Sequence, residues 1–572
     1  MSPSRRRRPT RAFAVLVLLL STVATGLGAA APASAQSYVP VSGAGSTWSQ
    51  NALDQWRRNV NQYGMTINYA GTGSSDGRNQ YKNGTVDFAV SEIPYGLKDG
   101  NVVDEAPRRG YAYMPIVAGG TSFMYNLKIG GRRVTNLRLS GENVARIFTG
   151  TLTRWNDPAI AADNPGLTLP ARAIVPVVRS DGSGTTAQFT TWLSKRYATS
   201  WDPYCAKAGR PTPCGITSNY PVAPGTGFTA QSGSLGVSGY VSQEQNEGTI
   251  TYVEYSYALN TGYPVAKVLN KGGFYVEPTA DNVAVGLLQA RIVDDERSTQ
   301  HLTQILDGVY DNADRRAYPL SSYSYMVVPT KAEGNFNLEK GKTLAAFAYY
   351  FLCEGQQQAP VLGYSPLPIN LVQAGLQQVR RIPGVVAQNI DISRCNNPTF
   401  SKDGRNTLAA RAPQPPACDA RGRQQCGTGT GGAKAPTPVK PAAASAPRTG
   451  AGGAAAPVRP GSTTPGSTTP GSTTTASTPR GPGLGTVAQV NPATGQAQQP
   501  VVDPDTGEVV GFDAAGGQDL LAGGAVSAVP VSVGAALSDG TTNALAVLAG
   551  LLLMVGVLVP PLLSRRLARG RS

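Results

Sequence analysis

Residues 177–189 read VVRSDGSGTTAQF, and they follow the apolar run AIVPVV at 173–178. Beyond this stretch the apolar residues Phe189, Trp192 and Leu193 recur with helical spacing. A strand, a glycine-rich turn and a helix in this order form the repeating unit of α/β folds. The sequence therefore predicts an α/β protein whose turn is rich in small residues that allow close backbone approach.

Two other stretches share this design, GAGSTWSQNALDQW at 43–56 and GTGSSDGRNQY at 71–81. The second of them follows MTINYA at 65–70, which alternates like a strand. The first turn of a helix has unpaired N–H groups and the positive end of the helix dipole, so each stretch is a candidate anion cradle. A single Ser or Thr before a helix is more often an ordinary N-cap, but three such turns favour an anion site.

Arg179 and Asp181 lie within the third of these turns. A guanidinium is permanently charged and can bind two oxygens of a tetrahedral anion at once. Asp181 would repel an anion, but it is well placed to hold Arg179 in one orientation. The alternative is a surface ion pair, which contributes at most about 1 kcal/mol.

The net charge of +15 is concentrated outside the central part of the chain, because residues 1–35 and 543–572 contain nine arginines and no acid. With a surplus of two further cations in 401–542, residues 36–400 keep a net charge of only +4. Such basic ends indicate membrane topology rather than a nucleic-acid surface. With His301 as the single histidine and no CxxC spacing, we expect no metal, no cofactor and no catalytic triad.

The N-terminus, residues 1–35, has the parts of a secretory signal peptide: SRRRRPTR, an apolar region and the small residues Ala33-Ser34-Ala35. An exported protein reaches an oxidising compartment, so we expect the six cysteines to form disulfides. By sequence proximity we pair Cys205 with Cys214, Cys353 with Cys395, and Cys418 with Cys426.

Residues 36–400 have the texture of a globular domain, and the texture changes after residue 400. Residues 401–542 are rich in Pro, Gly, Ser and Thr, with PGSTT repeated three times at 460–474, and are predicted to form a disordered stalk. Residues 543–563 contain no charge and match the length of a transmembrane helix, and the basic tail 564–572 would lie in the cytoplasm. A sorting signal for wall attachment is the alternative, but no LPxTG precedes the helix.

Taken together, the motifs resemble the substrate-binding protein of bacterial phosphate ABC importers, the PstS family. The resemblance runs in one order through nearly all of residues 41–385. The stretches that carry it are GAGSTW (43–48), NYAGTGSSDG (68–77), TVDFAVSEIP (85–94), IFTGTLTRWNDPAIAADNPGLTLP (147–170), VVRSDGSGTT (177–186), TYVEYSYAL (251–259) and YPLSSYSYMVVP (318–329).

The resemblance implies a type II periplasmic-binding-protein fold with two α/β lobes joined by a double crossover. Lobe I would contain residues of about 38–117 and 320–400, and lobe II those of about 118–319. The crossings would fall near 115–122 and 319–325, and the ligand would bind in the cleft between the lobes.

The family's phosphate contacts fall on residues of both lobes. In lobe I they are Thr47, the backbone of Trp48, Ser74 and Glu92; in lobe II they are Arg179, Ser183, Gly184 and Thr185, with Asp181 supporting Arg179. Two residues depart from the family pattern. Glu92 replaces the aspartate that accepts the proton of hydrogenphosphate, and it would either do the same on a longer stem or point into solvent. Asp76 replaces a glycine, and it would either stabilise the helix dipole or weaken the anion site.

The expected function is that of an exported, membrane-anchored monomer. It would capture inorganic phosphate and deliver it to an ABC permease in the same membrane, with the domain outside and the C-terminus inside the cell. A tethered sensor or adhesion head that keeps the fold is the alternative, motivated by the unusual anchor. A phosphate-ester hydrolase is disfavoured because no Cys or His nucleophile arrangement is present.

Overall fold

The computed structural model describes residues 37–440 and two short strands at 500–502 and 509–512. The predicted signal peptide (1–35), transmembrane helix (543–563) and basic tail (564–572) lie outside these residues, as does most of the predicted stalk. None of the helices in residues 37–440 combines the length and the hydropathy that a bilayer crossing requires. The two short strands, β18 (Pro500–Val502) and β19 (Val509–Phe512), pair with each other in antiparallel orientation.

Residues 37–440 contain seventeen strands and fourteen α-helices in a mixed order. The strands are β1 (Val41–Gly45), β2 (Ile67–Ala70), β3 (Phe88–Ser91), β4 (Lys98–Asp99), β5 (Val102–Val103), β6 (Tyr111–Tyr125), β7 (Lys128–Ile129), β8 (Arg132–Arg133), β9 (Arg138–Leu139), β10 (Val175–Arg179), β11 (Thr229–Gln231), β12 (Thr249–Glu254), β13 (Val265–Leu269), β14 (Tyr275–Val276), β15 (Arg291–Ile292), β16 (Gln304–Ile305) and β17 (Ser321–Pro329). The helices are α1 (Gln50–Asn61), α2 (Ser74–Lys82), α3 (Gly141–Phe148), α4 (Pro158–Asp163), α5 (Gly184–Arg196), α6 (Ala198–Lys207), α7 (Gly233–Val241), α8 (Tyr255–Asn260), α9 (Ala280–Leu287), α10 (Asp307–Tyr310), α11 (Leu338–Leu352), α12 (Gly355–Gln358), α13 (Ile369–Val379) and α14 (Thr407–Arg411).

Strand β6 is the central strand of the main sheet, and its 15 residues pair with strands of both halves of that sheet. Its residues 111–120 pair antiparallel with β17, which continues through β3 and β1 to β2. Its residues 121–125 pair with β12, which continues through β10 to β11. The chain therefore passes from one half of the sheet to the other within β6.

The buried apolar residues separate into cores on the two sides of this crossing. Residues of 41–118 and 323–382 form one core, together with Val283 from α9. Residues of 123–320 form the main core of the other side, and a smaller cluster around Val177 and Tyr257 adjoins it. We call the first side lobe I and the second lobe II. The chain returns from lobe II to lobe I between Leu320, in the second core, and Tyr323, in the first.

The prediction that the disordered stalk begins at residue 401 is wrong for residues 401–440, which pack against the domain. The buried guanidinium of Arg138 donates to the carbonyl oxygens of Cys418 (2.8 Å) and Arg423 (2.7 Å). Thr430 donates to the carbonyl of Val265 at 2.6 Å. Hydrogen bonds hold this segment, several of them to its backbone carbonyls. Its low apolar content gives no sign of these bonds, and the sequence therefore predicted disorder.

The same C-terminal segment runs along both lobes. Immediately before this segment, Asn397 and Thr399 donate to the carbonyl oxygen of Leu367 on the lobe I side. Farther on, Ala409 and Ala412 pack with Ala284, Val285 and Ala317 in a small apolar cluster. The segment then continues along lobe II, where Thr437 accepts from the backbone of Thr135. It forms a third connection between the lobes, in addition to the two chain crossings.

All three predicted disulfides are present. Their Cα–Cα distances are 5.9 Å for Cys205–Cys214, 4.8 Å for Cys353–Cys395 and 5.2 Å for Cys418–Cys426. The last of them closes a loop within the C-terminal segment and thereby fixes the part of it that contacts Arg138.

Candidate functional site

The residues singled out from the sequence meet at one place, at the carboxyl ends of strands from both lobes. Strands β1, β2 and β3 are mutually parallel, so the turns that follow them lie at the same edge. Strand β10 runs parallel to β11 and β12 and brings its own turn to the facing edge of lobe II. Ligands of open α/β sheets bind outside the carboxyl ends of the strands, and this edge is therefore the candidate site.

Glu92, which follows β3, is a buried acid of lobe I, with 1% of its surface exposed. Its Oε1 accepts hydrogen bonds from the hydroxyls of Ser46 and Ser324, both at 2.5 Å. Its Oε2 accepts from the hydroxyl of Ser74 at 2.8 Å. The alternative that Glu92 points into solvent is therefore wrong. The longer stem keeps the carboxylate inside the site.

Thr47 and Trp48 follow β1 and contact both lobes. The Oγ1 of Thr47 lies 2.9 Å from the Oγ of Ser234, and the hydroxyl of Tyr257 donates to the carbonyl oxygen of Thr47. The backbone N–H of Trp48 donates to Ser46 Oγ at 3.0 Å, and its indole ring lies edge-on to Tyr364. This turn is thus fixed by hydrogen bonds and packing.

Arg179 ends β10, and 2% of its side chain is exposed. Its Nε donates to Asp181 Oδ1 at 2.7 Å and its Nη2 donates to Asp181 Oδ2, which leaves Nη1 directed at Ser234 Oγ, 3.4 Å away. Burial acts to raise the pKa of Asp181, but the hydrogen bonds and charge of Arg179 outweigh it and hold that pKa below its usual value. The alternative of a surface ion pair is wrong, since the pair is buried and bidentate.

Helix α5 brings Ser183, Gly184 and Thr185 against lobe I. Ser183 Oγ caps the helix by accepting from the N–H of Thr186 at 3.1 Å. A Cβ at Gly184 would lie 2.0 Å from Glu92 Oε2 and 2.5 Å from Ser74 Oγ, so only glycine allows the lobes to approach this closely. The hydroxyl of Thr185 is buried and has no hydrogen-bond partner in the part of the chain that the structure describes. The N–H groups of this first turn have no partners within the helix.

Asp76 lies apart from these contacts. Its side chain is exposed in the first turn of α2 and accepts from Gln80 Nε2 at 2.5 Å. In this position a carboxylate interacts favourably with the helix dipole, the first of the two interpretations of this residue.

Four residues of the site were missed from the sequence, namely Ser46, Ser324, Gly233 and Ser234. Gly233 N–H donates to Asp181 Oδ1 at 2.9 Å, and Ser234 N–H donates to Thr47 Oγ1 at 3.1 Å. A signal for Gly233 and Ser234 was available, because the stretch TAQSGSLG at 229–236 has the same strand, glycine turn and helix design as the other three. Among residues 37–440 no group of three His, Cys, Asp or Glu side chains could hold a metal ion.

Comparison with known proteins identifies the family of this chain. The model of the PBP superfamily domain matches residues 29–354. The phosphate-binding protein PstS of Xylella fastidiosa is 33% identical over 336 residues, which cover 59% of this chain and 83% of that protein. The PstS of Methanocaldococcus jannaschii is 31% identical over 354 residues, covering 59% and 85%. The chain belongs to the PstS family.

A solved structure of the phosphate-binding protein from Stenotrophomonas maltophilia aligns at 19% identity with a TM-score of 0.46, covering 64% of this chain and 99% of that one. Family membership rests on the domain model and on the PstS relatives. The domain model ends at residue 354, so the segment 401–440 lies outside the part of the chain that it matches.

Proposed function

We propose that this PstS family member captures inorganic phosphate between its two lobes and delivers it to an ABC importer. The observation that carries the proposal is the meeting of Glu92 from lobe I with Gly184 and its neighbours from lobe II. A buried carboxylate, a fixed guanidinium and a helix N-terminus converge there, and all are groups that hydrogenphosphate can satisfy at once.

The donors for the anion come mainly from lobe II. Arg179 keeps Nη1 available because Asp181 occupies its other edge. The unpartnered hydroxyl of Thr185 and the N–H groups of the first turn of α5 add fixed dipoles. Because these groups are held in place before the ligand arrives, they replace its hydration shell with little reorganisation.

Selectivity for phosphate comes from Glu92. Each carboxylate oxygen has two acceptor sites, and Oε1 uses both for Ser46 and Ser324. Within the described residues Oε2 accepts only from Ser74, and it faces Gly184, so it retains one site for the proton of hydrogenphosphate. Sulfate carries no proton at neutral pH, and its oxygen would meet this acceptor repulsively.

The function also requires movement and a tether. Phosphate enters and leaves only when the lobes separate, so binding closes the cleft. Export through the N-terminal signal and retention through the membrane helix at 543–563 would hold the domain, as a monomer, near the permease.

Titration calorimetry of the purified protein tests the proposal. We expect phosphate to bind with a dissociation constant of about 1 μM or lower and sulfate not to compete at millimolar concentration. The proposal would be contradicted if phosphate gave no heat and also failed to displace any other bound anion.

A further inference from the structure

Helix α7 begins at the candidate site, on a turn that the resemblance to the PstS family does not place among the phosphate contacts. Gly233 N–H donates to Asp181 Oδ1 at 2.9 Å, which adds a second anchor to the acid that orients Arg179. The next residue, Ser234, is completely buried. Its side chain lies between the Arg179 guanidinium of lobe II and the Thr47 hydroxyl of lobe I.

Arg179 fixes the direction of the first hydrogen bond along this line, whereas either hydroxyl can be the donor in the Ser234–Thr47 pair. Arg179 Nη1 can only donate, so Ser234 Oγ is its acceptor at 3.4 Å. Ser234 Oγ can then donate its own proton to Thr47 Oγ1 at 2.9 Å. Thr47 Oγ1 also accepts the N–H of Ser234 at 3.1 Å, which fills both of its acceptor sites. The hydroxyl of Thr47 can then make a further hydrogen bond only by donating its own proton.

We propose that Ser234 is a positioning residue for anion binding: it turns the Thr47 hydroxyl into an obligate donor towards the ligand and links lobe I to lobe II when they are closed. The inference rests on the proposed phosphate function. A chain of hydrogen bonds that starts at a cation polarises each member, so the Thr47 donor is strengthened.

The link to Thr47 has a kinetic consequence. Ser234 and Thr47 belong to different lobes, and the bond between them forms only when the cleft closes. Its removal should therefore accelerate opening and release, whereas encounter with the open protein is unaffected. The effect should lie in the dissociation rate.

The experiment compares Ser234→Ala with two matched variants of the full-length protein. Dissociation is measured by chasing bound radiolabelled phosphate with excess unlabelled phosphate, and affinity by equilibrium dialysis. We expect Ser234→Ala to raise the dissociation rate about fivefold to tenfold, with an association rate within about twofold of the wild type. Ser234→Thr, which keeps the hydroxyl, should restore most of the slow release.

Ser238→Ala is the control, because Ser238 is buried one turn along the same helix and donates only to the carbonyls of Ser234 and Leu235. It should change the dissociation rate by less than about twofold. In a Thr47→Val background, Ser234→Ala should add little, since the two residues act through one hydrogen-bond chain.

Three outcomes would overturn the inference: an unchanged dissociation rate in Ser234→Ala, an equal effect in Ser238→Ala, or additive effects with Thr47→Val. A wild-type protein that binds no phosphate would instead overturn the proposed function itself, and with it this role of Ser234.

Discussion

The two lobes present opposite chemistry to the same site. On lobe I, Glu92 accepts three hydroxyl hydrogen bonds and pairs with no cation in the part of the chain that the structure describes. On lobe II, Arg179 is bound along one edge by its own carboxylate, Asp181. Under the proposed function, lobe I supplies an acceptor for the proton of the ligand, and lobe II supplies directed donors whose charge is largely balanced by Asp181. The proposal therefore predicts that hydrogen-bond direction, more than net charge, selects the ligand.

Arg179→Ala tests the lobe II side and should have the largest effect. It removes the donor at Nη1 and leaves Asp181 buried without its partner, which costs about 3–5 kcal/mol in comparable buried pairs. We expect phosphate affinity to fall at least about 100-fold by calorimetry and the melting temperature to decrease. The double variant Arg179→Ala/Asp181→Ala should recover stability but not affinity. Recovery of both stability and affinity would contradict the role of Arg179 in binding phosphate.

Glu92→Gln tests the lobe I side. The amide keeps one acceptor but introduces a donor where hydrogenphosphate presents its proton. We expect phosphate affinity to fall about tenfold to 100-fold and the preference for phosphate over sulfate to decrease. An unchanged preference in competition calorimetry would show that Glu92 does not select the ligand.

Glu254 sharpens the comparison, because it is a buried carboxyl on lobe II with fewer donors than Glu92: its Oε2 accepts from the N–H of Ser256 at 2.7 Å. Its Oε1 has no hydrogen-bond partner in the part of the chain that the structure describes, and burial raises its pKa well above the ordinary value. The folded protein therefore keeps a proton that the unfolded chain releases above pH ~4.3. The contribution of Glu254 to stability is complete below that pH and is lost as the pH rises towards the folded pKa.

The variant Glu254→Gln should not show this loss of stability with rising pH. We expect the variant to gain about 1–3 kcal/mol in unfolding free energy relative to the wild type between pH 5 and pH 8 in urea titrations. A stability difference that stays constant with pH would contradict the assignment.

The C-terminal segment offers a test of whether the lobe II face needs support from outside the matched domain. Cys418→Ser with Cys426→Ser opens a loop of eight-residue spacing, and such short loops contribute about 2–3 kcal/mol. We expect faster proteolysis of residues 413–440 and no change in phosphate affinity beyond about twofold. A large loss of affinity would mean that the segment shapes the site.

Asp76→Asn should have the smallest effect. Its carboxylate is exposed, so loss of its interaction with the helix dipole should reduce stability by about 0.5 kcal/mol. Phosphate affinity should change by less than about twofold, as dialysis can measure. A tenfold or larger increase in phosphate affinity would indicate that the charge of Asp76 weakens anion binding.

The sequence was most informative where backbone geometry and side-chain chemistry coincide. The turns at Thr47, Ser74 and Arg179 were visible because glycine, hydroxyl residues and a strand-to-helix change occur together. Ser324 could not be found this way, because it lies within a strand and reaches Glu92 only through the pairing of β17 with β3. The folded segment 401–440 escaped prediction because polar groups on lobe II, such as Arg138, hold it.

A crystal structure of the protein grown with phosphate tests the central claim most directly. The account predicts one phosphate oxygen about 2.5–2.7 Å from Glu92 Oε2, the short distance of a protonated oxygen donating to a carboxylate. It also predicts Arg179 Nη1 and the Thr185 hydroxyl within hydrogen-bond reach of the remaining oxygens. Phosphate bound elsewhere, or a Glu92 carboxylate turned away from the ligand, would contradict it.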